Sequence, residues 1–316
     1  MDTISTLCEA FFIPLARASQ IATAEAASLK LSGHSNHRIA EKLDWIDNIQ
    51  INFEGDKLTL MNLCLAFVMF GIALDMSMKD FRRVLEFPKA VAVGLSSQLI
   101  MLPLATFILV SLWQPHISMA LGLFLIAACP GGNISNFAVH LAKGNTALSV
   151  TMTSVVTLGA VVLTPMNFHL WAGFFPGSEE ILRDIHLDFW KMAAIVVKLI
   201  LVPLVVGMVT AHYFPILVKK VRKTIRILSM VIFSAFIIFA ILANLENIRK
   251  YIYLVFWIVI LHNLIALLIG YWYSRAWGLP EKDRRAISME TGIQNGGLGL
   301  ILIFNFFGGL GGMALI

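Results

Sequence analysis

The chain has 316 residues, of which 58% are hydrophobic and 14% charged, with a mean hydropathy of +0.81. Soluble domains carry about 25% charged residues, so the composition argues against a soluble globular protein and for one with several membrane spans. The net charge of +5 is distributed between apolar segments, which argues against nucleic-acid binding, and Cys8, Cys64 and Cys129 form neither a disulfide framework nor a metal spacing.

Residues 1–57 show no secretory signal pattern. Leu7 to Ala16 is apolar but only half the roughly 20 residues that a spanning helix needs. This region is expected to be extramembrane or interfacial, and residues 58–316 to form the membrane domain. Apolar segments follow at about 58–78, 88–113, 117–142, 146–171, 190–214, 227–243, 252–274 and 286–307. A ninth begins near Gly308 and reaches Ile316; so short a stretch rises only about 12 Å as helix, which implies an incomplete last span or a re-entrant tail.

Basic residues are expected in loops between these spans, and they alternate. Lys79, Arg82, Arg83, Lys89, Lys143, Lys219, Lys220, Arg222, Lys223, Arg226, Arg275, Lys282, Arg284 and Arg285 fall on one side. Only Arg183, Lys191, Arg249 and Lys250 fall on the other, a bias of 14 to 4 that makes the first side cytoplasmic and the N-terminus outside. Lys198 lies within the fifth span, where its long side chain can snorkel outward. The spans contain no phosphate loop, nucleophile elbow or zinc-protease motif.

Two spans are interrupted by polar, glycine-rich stretches. The third contains Cys129-Pro130-Gly131-Gly132-Asn133-Ile134-Ser135-Asn136, and the eighth contains Glu290-Thr291-Gly292-Ile293-Gln294-Asn295-Gly296-Gly297. Proline removes a backbone donor, and glycine weakens a helix. A carboxylate at membrane depth is costly and marks a functional site. Broken helices at corresponding positions of two halves point to a transporter binding site, and an interval of five spans makes the two cross in opposite directions. At each break the carbonyl end of one half-helix suits a cation and the amide end of the next suits an anion.

Ser149 and Thr153 share a helix face opposite Ser135 and Asn136, across the tight turn Lys143-Gly144-Asn145. Counted from that turn, Asn136 and Thr153 lie at similar depths, about 10 and 12 Å. Back-bonding of these hydroxyls to their own helix is the alternative for each taken singly. Gln98, midway along the second span, is either a ligand or interhelical glue. His116, His169, His186 and His262 lack metal-ligand spacing and read as surface or packing residues.

The pair Pro130-Gly131-Gly132-Asn133-Ile134-Ser135-Asn136 and Glu290-Thr291-Gly292-Ile293-Gln294-Asn295, with Phe70-Gly71-Ile72-Ala73-Leu74 and Lys79-Asp80-Phe81, resembles the bile acid:sodium symporter family over about residues 60–316. The resemblance implies an all-α multispan fold of two inverted five-helix repeats, about 58–171 and 190–316, with two crossed discontinuous helices in a core domain beside a panel domain; this chain departs from it in that 58–171 holds four segments, without the family's first helix, and the last helix is cut short. It implies two sodium ions. The first would take Ser135, Asn136, Ser149, Thr153 and Glu290. The second would take Gln98, Glu290, Thr291, Ile293 and Gln294, with Thr291 and Ile293 acting through carbonyls.

Asn133, Ile134 and Asn295 are the expected substrate contacts. The activity implied is sodium-coupled symport of an organic anion by alternating access, in a monomer in the cell membrane, with no nucleic-acid partner. Bile acids, steroid sulfates, pantoate-like acids and 2-oxoacids are all open as substrates. Proton coupling through Glu290 is the near alternative. An intramembrane enzyme would need a second catalytic group beside Glu290, and no motif supplies one.

Overall fold

The computed structural model describes residues 56–74, 76, 83–176, 178, 189–307, 309 and 311–316. The expected N-terminal region before residue 56 lies outside the described residues. The described chain is helical: α1 (Asp56–Ala73), α2 (Pro88–Trp113), α3 (Ile117–Ala128), α4 (Asn133–Leu141), α5 (Thr146–Gly173), α6 (Phe189–Val196 continuing through Val202–Tyr213), α7 (Pro215–Ala243), α8 (Leu245–Ala276), α9 (Glu281–Gly292), α10 (Gly296–Phe306) and α11 (Gly311–Leu315). Four are long and apolar enough to cross a membrane: Pro88–Trp113, Thr146–Gly173, Trp190–Tyr213 and Val255–Ala276. Helices α3 and α10 are shorter apolar halves of interrupted segments.

Many of the basic residues expected in loops lie on helices instead. Lys219, Lys220, Arg222, Lys223 and Arg226 are in α7, Arg249 and Lys250 in α8, and Lys282, Arg284 and Arg285 in α9. Lysine and arginine are good helix formers, and residues 216–243 contain no glycine or proline to stop the helix. Only Asn244 separates α7 from α8.

Helices α2 and α6 each contain one widened turn, at Ser97–Met101 and Val197–Leu201. In these turns Leu102 N–H bonds to Ser97 O, and Val202 N–H to Val197 O. Pro103 and Pro203 follow directly. Proline offers no N–H, and its ring crowds the carbonyl four residues back, which an i→i+5 turn relieves.

Packing divides around the breaks. Helix α1 lies against α6 and α7, whereas α9 is surrounded by α4, α5 and α8. The α8–α9 pair is joined by a tight turn in which Gly278 adopts φ +71°. There Leu279 N–H returns to Ser274 O and Gly278 N–H to Arg275 O, closing the helix end. At the α4–α5 turn Asn145 caps α5 through Leu148 N–H and donates to Asp283 Oδ1 at 2.8 Å. Its own N–H bonds to Lys282 O, and Arg285 Nη1 bonds to Ala142 O. The turn is thus fastened to the start of α9. Farther along, His262 of α8 meets Thr106 of α2 at 2.8 Å, an interhelical bond rather than a metal ligand.

Close approach of α8 and α9 depends on one residue. A Cβ at Gly270 would lie 2.7 Å from Ser288 Cα and 2.8 Å from Ile287 O, both backbone atoms that cannot swing away. Gly270→Ala is therefore expected to destabilise the fold by about 1–3 kcal/mol. Gly173→Ala, whose added methyl meets nothing within 4 Å, should be neutral in the same detergent thermal melt.

Candidate functional site

The two breaks are shorter than the sequence suggests. The first is Cys129 to Gly132, and the second is Ile293 to Asn295. Ile134, Ser135 and Asn136 already belong to α4, and Glu290 sits on the last turn of α9 instead of in unwound backbone. The start of α10 has a local reason. Asn295 Oδ1 accepts Leu298 N–H at 3.1 Å and caps α10, so Gly296 and Gly297 open a helix instead of prolonging the break.

The extended residues of the two breaks cross as an antiparallel bridge, Gly131 with Gln294. Gly132 N–H donates to Ile293 O at 2.8 Å, and Asn295 N–H donates to Pro130 O at 2.9 Å. A membrane interior supplies no water to satisfy loose backbone groups, so broken helices persist there only if something else does. Here each break satisfies the other.

Glu290 is fully buried beside this bridge. Its Oε1 accepts from Ser135 Oγ at 2.7 Å and from Ser149 Oγ, and its Oε2 accepts from Thr153 Oγ1 at 2.9 Å. Asn136 closes the group, with Ser149 Oγ 2.7 Å from its Oδ1 and its Nδ2 donating to Thr153 Oγ1 at 3.2 Å. Asn136 and Thr153 therefore meet, as the depth count expects. All five residues of the first expected group come together. Three hydroxyl protons are shared among both Glu290 oxygens, Asn136 Oδ1, and the Gly132 and Ser149 carbonyls, and the Gly132 carbonyl also accepts Ser135 N–H.

The second expected group lies along the last turn of α9 and the break after it. Gln98 Nε2 donates to Gln294 Oε1 at 3.2 Å, and Gln294 Nε2 donates to Thr291 O at 2.8 Å. Gln98 Oε1 is buried without a hydrogen-bond partner. Ile293 O already accepts Gly132 N–H, which leaves one lone pair. Gly131 separates the two groups: a Cβ there would stand 2.8 Å from Glu290 Oε2 and 3.2 Å from Gln98 Nε2.

A cavity of about 920 Å³ adjoins the crossing. Gly132, Asn136, Thr153, Gln294 and Asn295 form its polar side, and Leu65, Met69, Ile72, Ile134 and Leu300 part of its apolar wall. Of the expected substrate contacts, Ile134 and Asn295 line it, and Asn133 is the first residue of α4. Sequence reasoning does not single out Ser97, whose hydroxyl is 2.9 Å from that of Thr291, nor Ser229 of α7, which lines the cavity. Ser229 Oγ is buried without a hydrogen-bond partner and faces Gly71 across α1. A single serine on an apolar helix carries no periodic signal, so only packing reveals it. Among the described residues no cluster of His, Cys, Asp and Glu could hold a metal ion, and the donors here are oxygens.

Comparison with known sequences bears on this arrangement. The sequence pattern of the Sodium Bile acid symporter family matches residues 62–251, a stretch that contains Gln98, Ser135, Asn136, Ser149 and Thr153. An uncharacterised sodium-dependent transporter of Bacillus subtilis, YocS, is 32% identical over 246 residues, covering 77% of this chain and 73% of that protein. A probable chloroplastic sodium/metabolite cotransporter of Oryza sativa subsp. japonica, BASS2, is 30% identical over 250 residues, 78% of this chain and 57% of its own length. A chloroplastic counterpart in Arabidopsis thaliana, BASS1, is 30% identical over 244 residues, 77% and 59% respectively. The chain thus spans less than two thirds of the two plant proteins.

Because the space at position 131 is bounded by the carboxylate on one side and an amide on the other, Gly131→Ala should displace one of them. The expected result is a lower melting temperature than that of the parent chain in detergent, because displacing the carboxylate breaks its buried hydroxyl bonds.

Proposed function

This chain belongs to the Sodium Bile acid symporter family, and from that membership we propose that it couples the inward movement of sodium to uptake of an organic anion by alternating access. It is a multi-pass membrane transporter and not an enzyme.

The observation that carries the coupling is that Glu290, fully buried, is met by uncharged hydroxyls. A buried carboxylate is expensive unless a positive partner compensates it, and its partners among the described residues are hydroxyls. A hard cation suits an all-oxygen donor set. Ser135, Asn136, Ser149, Thr153 and Glu290 would hold the first sodium ion as co-substrate. The unpartnered Gln98 Oε1 supports a second, with Glu290, Gln294 and the free lone pairs of Thr291 O and Ile293 O.

The anion reading rests on charge. Two ions on one carboxylate leave an excess of about one positive charge. The amide ends of α4 and α10 both open on the cavity, through Gly132 and through Asn295, Gly296 and Gly297, and add to that field. Arg222 and His140 line the same space. An anion with an apolar body matches this division, its head at Asn133, Ile134 and Asn295. Helices α1, α6 and α7 would form the panel, and α2–α5 with α8–α10 the core, since the cavity lies where α1 and α7 face the crossing. The two halves, α1–α5 and α6–α11, would be inverted repeats of a monomer in the cell membrane. The basic ends, Lys219 to Arg226 and Lys282 to Arg285, would be cytoplasmic and the N-terminus outside.

Uptake into proteoliposomes tests this. An inward sodium gradient should drive accumulation of an organic anion, an equal potassium gradient should not, and Glu290→Ala should abolish sodium-dependent binding. Uptake that ignores sodium and follows the pH gradient would reassign the coupling ion to the proton.

A further inference from the structure

The widened turn of α2 carries Ser97 and Gln98, and both reach the same neighbour. Ser97 Oγ is 2.9 Å from Thr291 Oγ1, and Gln98 Nε2 is 3.2 Å from Gln294 Oε1. Consecutive residues of a regular helix point in well-separated directions. The wide turn makes this joint aim possible, and it exists because of Pro103. In a continuous α-helix the amide of residue 103 would bond to Leu99 O; proline has no amide hydrogen, and its ring pushes that carbonyl aside. A carbonyl left alone at membrane depth would cost several kcal/mol.

Leu99 O is not left alone. Asn167 Nδ2 of α5 donates to it at 2.9 Å. Asn167 is buried, and it projects from the same helix that carries Ser149 and Thr153. The comparable turn of α6, ahead of Pro203, buries the apolar Leu199 and Ile200, and its polar residue, Lys198, is exposed. The polar prop therefore coincides with the turn that bears site residues.

We propose that Asn167 is a positioning residue for the sodium site: by holding the Leu99 carbonyl it fixes the Pro103 turn and so the aim of Gln98 and Ser97 at the end of α9. One rigid helix, α5, then sets two of the three hydroxyls around Glu290, those of Ser149 and Thr153, and, through Asn167, the amide of Gln98. This inference rests on the sodium reading above. It adds a residue 14 positions beyond Thr153, far from either break, that touches no proposed ion ligand directly.

The test uses the full chain in detergent and reads the sodium concentration that gives half of the maximal thermal stabilisation, with potassium chloride as control. Asn167→Leu should raise that concentration about 10-fold or more, as loss of an outer partner of a metal ligand does. The double variant Pro103→Ala/Asn167→Leu returns an amide to Leu99 O and lets the turn close into regular helix. It should recover the melting temperature in potassium yet keep the raised sodium requirement. Recovery of both, or a wild-type sodium requirement in Asn167→Leu, would reduce Asn167 to a structural filler and overturn the inference. Should the single variant not fold, the double variant decides alone by the same criterion. Glu290→Ala separates the two levels: if it loses the sodium response while Asn167→Leu keeps wild-type sodium affinity, only the positioning role fails. If Glu290→Ala itself keeps the response, the sodium reading fails and this inference with it.

Discussion

A carboxylate with no exposure to solvent, at the point where two interrupted helices cross, sets the terms for the rest of the structure. Glu290 must be desolvated, so its oxygens need partners from the protein, and α4 and α5 bring three hydroxyls to meet them, with the Asn136 amide donating in turn to Thr153 Oγ1. Interrupted helices in turn must satisfy their own open backbone groups. The antiparallel bridge at Gly131 and Gln294 does this with bonds from Gly132 to Ile293 and from Asn295 to Pro130. The two requirements reinforce each other. The bridge holds the breaks in the place where their polar side chains surround the carboxylate.

Three devices keep this arrangement in register. The α4–α5 turn is tied to the start of α9 through Asn145, Asp283 and Arg285, so the helices bearing the hydroxyls and the one bearing Glu290 are joined at the turn as well as around the carboxylate. Gly270 lets α8 lie directly on the backbone of α9. On α2, the Pro103 turn and its Asn167 prop direct Ser97 and Gln98 to the end of α9. All three place rigid elements, not loops, behind the donor atoms, as a site of defined geometry requires.

The cavity shows how binding and movement could share one feature. It opens where the crossing faces α1 and α7, so a solute in it would touch both the helices around Glu290 and those on the far wall. Its floor is polar and holds the amide ends of two half-helices, while much of its wall is apolar. Helices α4, α5 and α10 supply both polar and apolar lining, through Asn136, Thr153 and Asn295 and through Phe137, Val150 and Leu300, while α1 adds apolar surface and α7 adds Arg222 and Ser229.

Several features were legible in the residues themselves. Composition and apolar runs identify a membrane protein, the two glycine-rich breaks stand out from continuous spans, and a carboxylate inside one of them marks the site. The depth count that sets Asn136 opposite Thr153 needs only helix rise and a tight turn, because both residues are local to that turn. The extent of each break was less legible. Glycine counts overstate it, since Asn295 caps α10 and Gly296 and Gly297 enter the helix. The basic segments at 219–226 and 282–285 read as loops by charge but fold as helix, because nothing in them interrupts one. What only the tertiary structure decided lies between distant residues. The bridge of Gly131 with Gln294, the contact of Ser97 with Thr291 and the bond from Asn167 to Leu99 join positions 68 to 194 residues apart. No periodicity in one dimension encodes such pairings; they follow from which helices pack together and how deep each break lies.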